Sequence, residues 1–157
     1  MSPKPVLIAY DGSENADHAI EVAADLMGGG PAKVIHAWEP VSSAAGRAAV
    51  YAVVYDTSGE MLGREAERAN EVAEQGVERA RAAGFEATGS ACRGGGPLWQ
   101  TIVDQAELLD PRVIVLGTRG LTGIRSTILG SVSQAVASHG HLPTLIVPLA
   151  AAGKSDG

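Results

Sequence analysis

The stretch from Val113 to Ser133 reads V-I-V-L-G-T-R-G-L-T-G-I-R-S-T-I-L-G-S-V-S, and the fold turns on it. Val113–Leu116 is short, apolar and β-branched, the composition of a strand buried on both faces. Gly117 ends it, and Gly120, Gly123 and Gly130 follow. Ser131 with Gln134 three residues on has the form of a capping box, which starts a helix at Ser131. Val132, Ala135 and Val136 then give that helix an apolar stripe. The first turn of a helix carries backbone N–H groups with no internal partner and the positive end of the dipole. Glycines ahead of it allow close backbone approach. Strand, glycine loop and hydroxyl-bearing helix start together make an anion site, best suited to phosphate. Each part alone is ordinary punctuation. The combined spacing Gly117-x2-Gly120-x9-Gly130-Ser131 is more specific.

Upstream, Val6–Tyr10 is a second strand of the buried type, ending at Asp11-Gly12-Ser13. A helix follows with Ala16, Ala19, Ile20, Ala23 and Met27 on one face, and Gly28-Gly29-Gly30-Pro31 stops it. Val34–Trp38 is a third strand. Residues Glu39–Thr57 include A-A-V-Y-A-V-V-Y, compatible with a strand, a helix turn or an apolar loop; we favour a loop over the ligand mouth. Gly59 to Ala83 reads as one long helix with Leu62, Ala66, Ala69, Val72, Ala73 and Ala80 inside and a solvated Glu/Arg face outside. Phe85–Cys92 is a weaker strand, expected at a sheet edge. After Gly94-Gly95-Gly96-Pro97 comes a helix with Leu98, Ile102, Ala106 and Leu109 inward, ended by Asp110-Pro111. Beyond Ser133, Gly140 and Pro143 precede the strand Thr144–Val147.

Five strands alternating with four helices predict an α/β protein built on a single doubly wound open sheet. Its five strands are parallel, in order 3-2-1-4-5, with helices on both faces. In that order the strands ending at Tyr10 and Leu116 are neighbours whose following helices lie on opposite faces. Such a switch point is where ligands bind, and Asp11 and Gly117 would share its rim. The expected domain spans residues 1–149, leaving 150–157 as a disordered C-terminal tail.

At 157 residues the chain is one domain by length, with 45% hydrophobic and 19% charged residues. The net charge of −6 argues against nonspecific nucleic-acid binding, which relies on basic surface. A single cysteine, Cys92, forms no internal disulfide. There is no secretory leader pattern and no apolar run of about 18 residues, so we expect a cytoplasmic protein without a membrane span.

Asp11 is suited to accept from a ribose hydroxyl or to help hold a metal on phosphates; an Asx turn is the plainer alternative. His36, in a buried strand, reads as a neutral, hydrogen-bonded core histidine, and His139 as a helix-dipole partner. Cys92 reads as a packed thiol. Arg119 and Arg125 are either phosphate partners or solvated arginines. No G-x-x-x-x-G-K-[ST] or G-x-G-x-x-G motif is present, which excludes a P-loop or a dinucleotide site.

From about Val6 to Pro148 the chain resembles the ATP-binding branch of the universal stress protein family, through the Gly117-x2-Gly120-x9-Gly130-Ser131 pattern in its strand and helix setting. The resemblance implies ATP, with Mg or Mn, as cofactor. It places Ala9, Tyr10, Asp11 and the main chain at Ala37 against the nucleoside. Leu116, Gly117, Arg119 and Gly120 would follow the ribose and phosphates, and Gly130, Ser131, Val132 and Ser133 would hold the phosphates. It further implies a nucleotide-dependent stress sensor that forms a homodimer through the last strand, Thr144, Leu145, Ile146 and Val147. The alternative is a slow ATP hydrolase or phosphotransferase using the same pocket.

Overall fold

Five runs of the sequence become the strands of one parallel sheet. The computed structural model describes residues 2–41, 59–118 and 129–150. The elements run β1 (Val6–Ala9), α1 (Glu14–Met27), β2 (Gly30–Trp38), α2 (Gly59–Ala82), β3 (Phe85–Arg93), α3 (Leu98–Leu109), β4 (Val113–Gly117), α4 (Ser131–His139) and β5 (Thr144–Val147). The sheet order is β3-β2-β1-β4-β5, as the alternation requires. Of the segments read from sequence, Arg119, Gly120, Gly123, Arg125 and residues 42–57 lie outside the described residues, as do 151–157 of the expected tail.

Alternation along β1 divides the core in two. Val6 and Ile8 meet α1 and α2, joined by Ala16, Ala19, Ile20, Ala23, Ala80 and Phe85. Leu7 points the other way, with Ile35, Ile114 and Leu116, onto Ile102, Val103 and Ala106 of α3 and Val136 of α4. The two clusters are the physical content of a doubly wound sheet: the inner strands β1 and β4 are covered on both faces and are almost wholly apolar, while the edge strand β3 keeps exposed residues such as Glu86 and Ser90. The first face is built largely of alanines. There α2 comes so close that a Cβ added at Gly76 would stand 2.6 Å from Cδ1 of Tyr10. The second face interdigitates larger aliphatics.

Most boundaries fall where the periodicity sets them, with one displacement. The strand expected to begin at Val34 begins at Gly30. Ala32 and Lys33 already pair with Val6 and Leu7, and Pro31 lies opposite Glu86. A proline near the start of a strand is tolerated because its missing N–H falls where the ladder is only beginning. Read locally, Gly-Gly-Gly-Pro signals only a stop.

Candidate functional site

At the exit of β1 the backbone is held from β2. The Tyr10 N–H donates to the Ile35 carbonyl at 2.8 Å, and His36 Nδ1 donates to the Tyr10 carbonyl at 2.9 Å. His36 is therefore the half-buried, hydrogen-bonded histidine expected, with its N–H on Nδ1. The Tyr10 ring is buried between α1 and α2, and its hydroxyl donates to Asp17 Oδ1 at 2.7 Å. Arg79 stands 3.7 Å from the other Asp17 oxygen. Burial, and then the bond to the Asp17 carboxylate, push the Tyr10 hydroxyl well above the usual tyrosine range.

Asp11 follows on the rim. Its Oδ1 accepts from the Ser13 N–H at 2.9 Å and from the Ser13 hydroxyl at 2.5 Å. Ser13 Oγ in turn accepts from the Ala16 N–H and caps α1. The Asx turn is thus present, and it uses one carboxylate oxygen. Asp11 Oδ2 has no protein partner among the described residues, so turn and ligand contact are compatible in one side chain.

The facing rim is the exit of β4. The Thr118 N–H donates to the Val147 carbonyl at 3.1 Å, and the Thr118 carbonyl accepts from the Gly130 N–H at 2.7 Å. The second bond ties the end of β4 to the residue that precedes α4. Ser133, buried in the first turn of α4, donates its hydroxyl to the Gly117 carbonyl at 2.7 Å. Across the sheet, Asn15 of α1 lies against Gly117, whose missing side chain leaves the space: a Cβ there would be 2.5 Å from Asn15 Oδ1.

Helix α4 begins at Ser131, as expected, but not by a capping box. Gly130 is the N-cap, with ordinary extended angles (φ −60°, ψ 157°) and no side-chain cap bond. With Gly130 rather than Ser131 as the N-cap, the residue three on is Ser133 and not Gln134, so the box pairing has no place; the Gly130 N–H goes to the Thr118 carbonyl. Ser131 becomes the first helical residue and is exposed. Val132 is half-buried against the second core face.

Of the residues named from sequence, Ala9, Tyr10, Asp11, Leu116, Gly117, Gly130, Ser131, Val132 and Ser133 belong to adjacent strand ends and the start of α4. Ala37 lies near the end of β2, opposite Cys92 of β3, and both pack on the second core face. His139 sits in the last turn of α4, where its ring stacks on Trp99 with centroids 4.5 Å apart. Among the described residues no cluster of three His, Cys, Asp or Glu could hold a metal. A hard cation held mainly by ligand phosphates needs only one or two carboxylates, which Asp11 Oδ2 fits.

Sequence reading missed Asn15 and Thr118. Thr118 lay inside the quoted stretch but carried no spacing signal. Asn15 had one: it falls four residues before Ala19, a polar residue on the inner stripe of α1.

With this geometry in place, comparison with known proteins assigns the class. A model of the universal stress protein family matches residues 3–148. The chain belongs to that family. It is 35% identical over 150 residues to a Thermus aquaticus universal stress protein from the QAH/OAS sulfhydrylase 3′ region, covering 92% of this chain and 98% of the relative. A universal stress protein from Archaeoglobus fulgidus, solved in complex with dAMP, shares the fold with a TM-score of 0.63 at 22% identity, covering 94% of this chain and 99% of that one. A universal stress protein in complex with cAMP does so with a TM-score of 0.63 at 22% identity, covering 94% and 98%.

Proposed function

We propose that this chain binds ATP, with Mg or Mn, in the crevice between the exits of β1 and β4, and acts as a nucleotide-dependent cytoplasmic stress sensor. One observation carries the reading. The sheet order brings Asp11, with one carboxylate oxygen open, and the Gly117–Gly130–Ser131 segment to adjacent strand exits. In an open α/β sheet that is the place for a ligand. The start of α4 supplies unpaired N–H groups and an exposed hydroxyl for phosphate. The dAMP and cAMP complexes of proteins with this fold support an adenine nucleotide as the ligand class.

In this reading Ala9, Tyr10, Asp11 and the main chain at Ala37 meet the nucleoside. Leu116, Gly117, Arg119 and Gly120 follow the ribose and phosphates, and Gly130 to Ser133 hold the phosphates. The chain pairs with a second copy along Thr144–Val147, the free edge of β5. The test is direct. Purified protein is heat-denatured and the released small molecules are identified by mass spectrometry, then ATP, ADP, AMP and adenosine are titrated calorimetrically with and without magnesium. Release of ATP or ADP, and an affinity that rises with phosphate number, support the reading. Equal binding of adenosine and ATP sinks its phosphate part. Turnover assays on the same samples separate binding from slow hydrolysis.

A further inference from the structure

Asn15 is a polar residue in a place where helix α1 has no use for one. It lies on the apolar inner stripe and is 2% exposed. It is not the cap; Ser13 already fills that role. Its amide is instead spent on the far side of the switch point. Nδ2 donates to the Val147 carbonyl at 3.0 Å. The Thr118 hydroxyl approaches Oδ1 at 3.4 Å. The plane of the amide rests on the Cα of Gly117, the space a side chain there would fill. The Val147 carbonyl that Asn15 holds is the same one that accepts from the Thr118 N–H.

One turn of helix therefore connects the two rims. Asp11 grips Ser13, Ser13 caps α1, and two residues later Asn15 grips the exits of β4 and β5. We propose that Asn15 is a positioning residue for the crevice. It fixes the distance between the Asp11 carboxylate and the Gly117–Thr118 exit of β4, so that a nucleotide meets both without reorganisation. This rests on the nucleotide reading above. Affinity gained by holding contacts ready is lost when the holder is removed, even if the fold survives.

The test uses two near-isosteric changes. Asn15→Leu removes the polar contacts to Val147 and Thr118. Asn15→Asp keeps the shape but, when ionised, aims an acceptor at the Val147 carbonyl, where a donor is needed. Among the described residues, those that meet this position from the exits of β4 and β5 are Gly117, Thr118 and Val147, all uncharged. The charged or titratable groups nearest it in sequence are Asp11, Glu14, Asp17 and His18. A carboxyl so placed is pushed up by burial, and once protonated it donates to Val147 as the amide did. Its help is therefore present at the lower pH and lost as pH rises.

ATP is titrated into the full chain and both variants at pH 6 and pH 9, at a temperature where melting curves show each fully folded. Each variant is compared with the parent at the same pH, which cancels the titration of ATP itself. We expect Asn15→Asp to bind within about threefold of the parent at pH 6 and about tenfold more weakly at pH 9. Asn15→Leu should be about tenfold weaker at both. Should Leu prevent folding, the Asp profile decides alone. A variant-to-parent ratio that does not change with pH for Asn15→Asp overturns the proposal. So does parent-like affinity in a variant whose melting temperature has dropped, because Asn15 is then only part of the core. If the parent itself takes up no ATP, the nucleotide reading fails first and this inference falls with it. If the parent binds ATP and both variants bind it as tightly as the parent at both pH values, only this inference falls.

Discussion

Ser133 Oγ donates to the carbonyl oxygen of Gly117 across 2.7 Å, tying the start of α4 to the end of β4. Ser131, two residues earlier, is exposed and makes no cap bond. The two serines of one motif therefore do different things. Ser133→Ala leaves a half-buried carbonyl without this donor, at a cost of about 1–2 kcal/mol. The melting temperature should fall by roughly 2–8 °C. Ser131→Ala should leave melting nearly unchanged but weaken ATP about tenfold to a hundredfold, with little effect on adenosine, since only a phosphate contact is lost. Melting curves and titrations of both ligands check the contrast. Equal losses for ATP and adenosine would show that the turn shapes the pocket without gripping phosphate.

Asp11 is tested by separating its two oxygens. Asp11→Asn keeps an Oδ1 for Ser13 and so keeps the Asx turn, while it removes the charge. The fold should hold, with melting within about 2 °C of the parent. ATP should bind more weakly, and the gain in affinity from magnesium should shrink. Titrations with and without the metal that match the parent would reduce Asp11 to a turn residue.

Alkaline stability should report Tyr10. Its hydroxyl is raised by burial and then by Asp17. The folded state therefore holds this proton beyond the unfolded value of about 10. The sign follows: the stabilisation is complete below about pH 10 and is lost as pH rises past it. Tyr10→Phe has no such proton to lose. The difference in unfolding free energy between parent and Tyr10→Phe should shrink as pH rises above about 10, measured by denaturant titration. A difference that stays constant from pH 8 to 11 would refute the assignment.

Pairing through β5 depends on which amides face outward. The carbonyls of Pro143 and Val147 both accept from β4, from Ile114 and Thr118. Leu145 between them faces inward as well, and Thr144 and Ile146 turn their backbone groups to the open edge. Ile146→Pro should thus weaken a dimer more than it disturbs the β4 ladder. Light scattering at micromolar concentration should show about twice 16.0 kDa for the parent and a shift toward the monomer for the variant. A parent that stays monomeric rules out this interface.

Period and punctuation made the sheet order and the adjacency of Asp11 with Gly117 legible, because each strand had to be apolar and each turn glycine-rich. What stayed hidden was decided by distant partners. The capping-box pattern at Ser131 is a local signal, and it failed because the N-cap falls one residue earlier, at Gly130, which the Thr118 carbonyl holds. Asn15 looked like a flaw in an apolar stripe, since its partners Val147 and Thr118 lie more than a hundred residues away. Pro31 masked the start of β2 because only the register with β1 shows that pairing has begun. The residues that define the crevice could be named from sequence, but the bonds that hold it together could not.

The unequal faces of the sheet bear on how this sequence can drift. Beneath α1 and α2 the packing is set by Ala16, Ala19, Ala23, Ala69, Ala73, Gly76 and Ala80. There a change to any larger residue pushes a helix off the sheet, while few changes to smaller ones exist. Beneath α3 and α4, Leu7, Ile35, Ile102, Ile114 and Leu116 fail the other way, through truncations that open cavities. Deep mutational data on this chain should thus divide by face. Enlargement is penalised most at the small residues of α1 and α2, and shortening most under α3 and α4 and along β1, whose large residues face both sides.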